Sequence, residues 1–560
     1  MSQPACLAPP RPAGWTERAS AWWLVLAALL VTLLVPLATV QVPPVLDYPN
    51  HLTRAHLLAA GLLTQPAADP VLARFYAPHW AAIPNLGTDL VLVPLLPWLD
   101  LHIAGRIMLG LSLVLPVLGC IAYHRAAFRT RSYWPFTAGL IATGTVFQLG
   151  LSAFLMASGA ALLFAAMWLR LEARPALRAL LGMLATAVLF FLHLVGVGFF
   201  AVLIGAADAS ALWSMRHEPS RLAQSAALRM AVLIGAMAPT LVLIWLAPPE
   251  AIGGAARWHR PAWKLFAAAA PFMAFDCALD WASAALFLAL IYALLRDGAL
   301  RPAAPAVPAL LALGVIGAVA PFAIHETTFV DLRVLTLAAL MLPAGLGLTA
   351  SRPSGSRPDG QLPFRRLLRA TATIVVALLV LRSGEMALAW QRHGADLTAF
   401  RRTIASVPAG GLVLVVRVSA QDSPEYWDSQ PLARRARPMP LDLHLPALLV
   451  LERHAFWPLL FADPAKQPLV VRPPFQDLAL PSGVPPDWHD LATGRVGPGE
   501  SPAPYLADWR RRFDYVLVLD AGGAARLDTT LPGWVDLVHA EDIAALYRVR
   551  HPNAAAPQLR

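Results

Sequence analysis

The sequence predicts an α-helical polytopic membrane protein of about eleven spans with a small α/β domain at its C-terminal end. Three observations carry this. Hydrophobic residues make up 58% of the 560, and mean hydropathy is +0.57. Charged residues are 14%, against about 25% in soluble domains. Apolar runs approaching the ~20 residues that cross a bilayer recur between 21 and 389, and then stop.

The net charge of +10 does not indicate nucleic acid, because the arginines sit in short loops between apolar runs. Only Lys264 and Lys466 are lysines, a bias that makes any single arginine weak evidence of function. Cys6, Cys120 and Cys277 form no CxxC pair, which argues against a disulfide framework or a cysteine zinc site.

Taken in order, residues 1–20 read as a cytoplasmic tail with Arg11 and Arg18. Span 1, about 21–40, is too long for the core of a signal peptide and reads as a retained anchor. Residues 41–103 form a long outer segment. Its apolar run 86–99 is short and broken by Pro94 and Pro97, so it is expected to be re-entrant or juxtamembrane. Were it to span, the next span would deliver His124, Arg125, Arg129 and Arg131 outside, against the positive-inside bias.

Spans 2 to 11 then follow at about 104–123, 134–149, 152–170, 178–192, 194–213, 230–247, 281–295, 304–324, 334–349 and 370–388. This scheme puts 16 arginines of five short loops inside and seven Lys or Arg outside: Arg54, Arg74, Arg106, Arg257, Arg260, Lys264 and Arg333. The transmembrane part is therefore 21–389. Residues 390–560 are predicted to form an extracytoplasmic α/β domain. Its short runs Leu412–Val418, Leu469–Val471, Tyr515–Leu519 and Ala544–Val549 read as strands, and Asp396–Ser406 and Ala447–Phe456 as helices. The expected location is a bacterial inner membrane, with the N-terminus cytoplasmic and the C-terminal domain periplasmic.

The chain from Asp47 to His56 is where chemistry is expected. Pro49 suits the first turn of a helix. Leu52, Ala55, Ala59 and Leu62 fall on one stripe, and Asn50, His51 and Arg54 on another, read as the wet face. Asp47 stands either as a helix cap or as a site acid. Other outer segments add His79, Asn85, Asp89, His193, His259, Asp276, Asp280, His325, Glu326, Asp331 and Arg333. Acids and histidines beside a membrane are costly and tend to line cavities. His51, His56 and His79 lack zinc spacing, and Asp208 reads as a helix contact within span 6.

This layout resembles the C-type glycosyltransferase (GT-C) superfamily. The matching elements are Asp47 after span 1, the helix from Pro49, and the short run 84–99. Gly105-Arg106 opening span 2, Met167-Trp168-Leu169-Arg170 and the Phe190-Phe191-Leu192-His193-Leu194 turn complete it. The resemblance covers about 1–390 and implies a membrane enzyme that takes a sugar from a polyprenyl-phosphate donor on the outer face. It implies Asp47 as general base on an acceptor hydroxyl, or as a holder of a divalent cation such as Mg²⁺ or Mn²⁺. It implies His51, Arg54, His259, Glu326, Asp331 and Arg333 as substrate-binding residues, the cations neutralising the leaving phosphate. The chain departs from the family where members often pair two acids in the first loop, since Asp47 stands alone. The Gln148–Ser152 turn also lacks an acid.

Two other classes compete. A non-catalytic assembly or receptor protein of the same fold would make the α/β domain its working part. A transporter would need polar groups near mid-membrane and repeated halves, and the sequence has few of the former and no repeat.

Overall fold

The computed structural model describes residues 19–63, 69–248, 255–324, 327–349, 361–418, 440–480, 484–496, 503–519 and 527–551. Among these, eight helices are long and apolar enough to cross a membrane: Ser20–Ala38, Leu101–Phe128, Ser152–Arg170, Pro175–Leu192, Leu194–Ser214, Pro219–Leu246, Cys277–Arg296 and Arg369–Ile404. The chain is a multi-pass membrane protein. Leu101–Phe128 and Ser152–Arg170 pack at the centre of the bundle. A side chain at Gly159 would stand 2.3 Å from the backbone of Leu115, so glycine permits the close crossing.

The segments expected as spans 3, 9 and 10 are shorter helices. The first, around 134–149, breaks into a 3-10 turn Trp134–Thr137 and two short helices, Ala138–Ala142 and Thr145–Gln148. Every residue from Trp134 to Gly150 is buried. Irregular backbone at membrane depth is tolerated where protein, not lipid, surrounds it. The other two are Ala306–Val319 and Val330–Gly345. The run 86–99 holds the nine-residue helix Gly87–Leu95. At roughly 1.5 Å per residue this is about half the ~30 Å needed to span, as its prolines foretold.

Helix Gln361–Ile404 has 44 residues, about 66 Å, over twice the bilayer core. Span 11 and the predicted helix from Asp396 are thus one element, and position 390 lies inside it. Its end, with Leu397, Phe400 and Ile404 buried, runs into the C-terminal domain.

That domain has a four-stranded sheet in the order Val413–Arg417, Tyr515–Leu519, Ala544–Val549, Val535–Glu541. The first pair is parallel, Val413 opposite Tyr515, and the others are antiparallel. Tyr515–Leu519 is buried along its whole length, which suits its unbroken apolar run. Strand Leu469–Val471 lies elsewhere. It pairs antiparallel with Tyr76–Pro78 of the first inter-span segment, Tyr76 opposite Val471. The C-terminal region is therefore built onto the inter-span segment that holds Asp47.

Candidate functional site

Asp47 is seated by the broken segment. Leu46 N donates to the Gln148 carbonyl at 2.9 Å. Gly150 has φ +76°, and a Cβ there would lie 2.7 Å from Asp47 N, so only glycine fits the turn. The Asp47 carbonyl accepts from His51 N at 3.0 Å, which starts helix Tyr48–Leu63. Its carboxylate accepts no hydrogen bond from that helix among the described residues and is 17% exposed. The acid is not used up as a helix cap.

Two basic side chains bear on it. His444 Nδ1, from the chain before helix Ala447–Arg453, lies 2.9 Å from Asp47 Oδ1. The approach is an ion-pair distance but falls outside hydrogen-bond alignment. Arg333, on helix Val330–Gly345, interacts electrostatically with Asp47 and with His193. Arg333 is 6% exposed, and its Nε and Nη1 have no hydrogen-bond partner among the described residues. Burying guanidinium donors unpaired is expensive. His193 is occupied locally, its Nδ1 capping the next helix by accepting from Val195 N at 3.2 Å.

Arg54 and His51 have a different setting from the wet face expected of them. Arg54 is 2% exposed and Asp89 0%. Arg54 Nε donates to Asp89 Oδ1 and Nη2 to Oδ2, both at 2.8 Å. Nη2 also reaches Thr88 Oγ1 at 3.1 Å and His51 Nδ1 at 3.3 Å. Because arginine can only donate, His51 Nδ1 is the acceptor and Nε2 carries the proton. Thr88 Oγ1 also lies 3.4 Å from His51 Nδ1. Burial, then the Arg54 charge, pushes the His51 pKa down to about 4, so the ring is neutral. Arg54 Nε and Nη2 are thus committed to protein acceptors.

The remaining predicted residues are dispersed. His259 is exposed, its Nδ1 accepts from Arg260 N at 2.9 Å, and its ring packs on Trp263 and Phe322. Asp331 is buried and filled by Lys264 Nζ at 2.9 Å, Trp263 Nε1 at 3.3 Å and Leu332 N at 2.9 Å. Asp331 and Arg333, two positions apart, therefore serve different surroundings. His325 and Glu326 lie outside the described residues. Asp208 contacts neighbouring helices through Arg178 at 3.0 Å and Arg229 at 2.5 Å.

His444, Phe461, Asn50 and Gly150 belong to the site but were not singled out as site residues from sequence. Phe461 N donates to Asn50 Oδ1 at 3.2 Å, and the Phe461 ring packs on both His51 and His444. Periodicity grouped Asn50 with His51 and Arg54, and Gly150 lies in the expected Gln148–Ser152 turn, whereas His444 and Phe461 carried no signal. Asp89 is committed to Arg54, and among the described residues no group of three or more His, Cys, Asp or Glu could hold a metal.

Fold and site together define a polytopic membrane protein with a GT-C-like fold and a C-terminal sheet domain. No family model and no curated protein sequence matches the chain. Its fold is similar to a solved structure of ArnT from Cupriavidus metallidurans bound to undecaprenyl phosphate. The TM-score is 0.51 at 15% identity, over 96% of this chain and 100% of that one. ArnT from the same organism in the apo state is also similar, with a TM-score of 0.49 and 15% identity over 95% of this chain and 98% of that one.

Proposed function

We propose that this chain is a GT-C-type glycosyltransferase. It moves a sugar from a polyprenyl-phosphate donor to an acceptor on the outer face of a bacterial inner membrane. The observation that carries this is buried Arg333, whose Nε and Nη1 have no hydrogen-bond partner among the described residues and whose charge interacts with Asp47. An acid that can take a proton and a buried cation are the two groups such a transfer requires.

The acceptor hydroxyl oxygen attacks the anomeric carbon. The bond from that carbon to the phosphate oxygen breaks, and the electron pair leaves on the phosphate. Asp47 takes the hydroxyl proton as general base. Arg333 neutralises the charge growing on the phosphate, where low dielectric makes its field strong. The ArnT neighbour bound to undecaprenyl phosphate supports this class of donor. The positive-inside pattern supports the outer face, since Asp47 and the C-terminal domain share one end of the bundle.

Membranes containing the protein should consume undecaprenyl-phospho-sugars and release undecaprenyl phosphate. Asp47→Asn should slow this by about 10²- to 10⁴-fold at unchanged expression. Unchanged turnover removes Asp47 from the mechanism. Substrate movement into vesicles without covalent product favours a transporter instead.

A further inference from the structure

We propose that His444 is a positioning residue for the Asp47 carboxylate, so that the site is assembled jointly by the membrane bundle and the C-terminal region. The role rests on the transferase reading above. The geometry does not.

Asp47 has little else to orient it. Its carboxylate makes no hydrogen bond to helix Tyr48–Leu63 among the described residues, so its torsions are set by what faces it. His444 Nδ1 stands 2.9 Å from Oδ1. The imidazole is itself confined. It meets Phe461 edge-on at 5.2 Å between ring centroids and Trp457 at 6.4 Å.

Those walls are tied to the helix that begins beside Asp47. Phe461 N donates to Asn50 Oδ1, and Thr53 Oγ1 donates to the Ala447 carbonyl, each at 3.2 Å. His444 is thus carried on a clamp that grips the first helix at Asn50 and Thr53, one and two turns from the carboxylate. A small rotation of either group turns the present approach into an aligned hydrogen bond, as catalytic contacts commonly tighten when substrate arrives. With Oδ1 held, Oδ2 is left for the acceptor hydroxyl. His444 takes no part in the bond changes: the proton goes to Asp47 and the electron pair to the phosphate.

The test uses the full-length protein in detergent. The readout is release of undecaprenyl phosphate from undecaprenyl-phospho-hexose and -pentose donors. His444→Ala should lower kcat by roughly 10- to 100-fold with donor KM within about twofold. His444→Asn, whose amide sets a donor near the Nδ1 position, should restore most of the rate. The D47N/H444A double variant should be no slower than D47N. Unchanged kcat in H444A, or losses that multiply in the double variant, overturn the proposal.

A second readout needs no activity. Thermal unfolding of D47A, H444A and the double variant should be non-additive, because the two groups touch. Additive shifts overturn the proposal even in a protein that transfers sugar. Non-additive shifts in a protein that consumes no donor keep the contact and overturn the transferase reading.

Discussion

Removing the Asp89 carboxylate is the most informative change outside the reacting groups. Sequence alone made Arg54 a substrate-binding cation, whereas its setting makes it a structural one. Arg54 and Asp89 are 2% and 0% exposed and share two bonds of 2.8 Å. Asp89→Ala strips both and leaves the guanidinium buried with only Thr88 and the His51 ring as acceptors. Breaking a buried pair from one side costs about 3–5 kcal/mol, mostly because a charge stays behind uncompensated. R54M should cost a similar amount through the stranded carboxylate. The R54M/D89L double variant removes both charges and should recover most of the loss, since apolar replacements of buried pairs are often neutral. Thermal and chemical unfolding in one detergent at one pH would measure this, with donor KM beside it. Wild-type stability in D89A, or a double variant worse than either single, refutes the structural role. So does a double variant that is stable but no longer binds donor.

Two further outcomes follow from the same neighbourhood. His51 has a folded pKa of about 4 against 6.5 unfolded, so the unfolded chain binds the extra proton first as pH falls. Its contribution is full above about pH 6.5 and is lost progressively down to about pH 4, roughly 3 kcal/mol in all. H51N, which keeps an acceptor near Nδ1, should flatten that part of the pH–stability curve, and an unchanged slope contradicts a neutral buried ring. Arg333→Met removes a buried guanidinium whose Nε and Nη1 have no hydrogen-bond partner among the described residues. It should unfold no earlier than wild type while losing 10²-fold or more in transfer, the trade expected of a residue placed for a ligand. A strongly destabilised R333M would mean that Arg333 serves the fold.

Much of the membrane part was legible because hydropathy reports length and composition directly. Helices near the expected spans 1, 2, 4 to 8 and 11 are there, and Pro94 and Pro97 correctly marked a helix too short to cross. Segment 134–149 reads as a span but is folded in pieces around Gly144, whose Cβ would stand 2.2 Å from the Pro271 carbonyl oxygen. Hydropathy records that the segment is buried, not whether lipid or protein buries it. The boundary near 390 followed polar Gln391, Arg392 and His393, yet polar residues end an apolar run without ending a helix. The helix runs on to Ile404, and Pro408 follows. Strand Val535–Glu541 was missed because it is an edge strand whose apolar residues are interrupted by Asp536 and His539 and do not form a continuous run.

The site was half legible. Asp47 was singled out as a candidate from its place after the first span. Periodicity grouped Asn50, His51 and Arg54 correctly, but a stripe says which side chains share a face, not what covers it. The cover comes from residues 444–461, and no local pattern links positions almost 400 residues apart. His444 and Phe461 were invisible for that reason. Asp331 and His259 were drawn in by charge type alone, and Lys264 and Arg260 satisfy them locally.

The most direct test is a structure of the protein with undecaprenyl phosphate bound. The phosphate should sit between Asp47 and Arg333, with its oxygens about 2.7–3.2 Å from Arg333 Nε and Nη1. A phosphate held elsewhere, with those two nitrogens still unpartnered, would contradict the account.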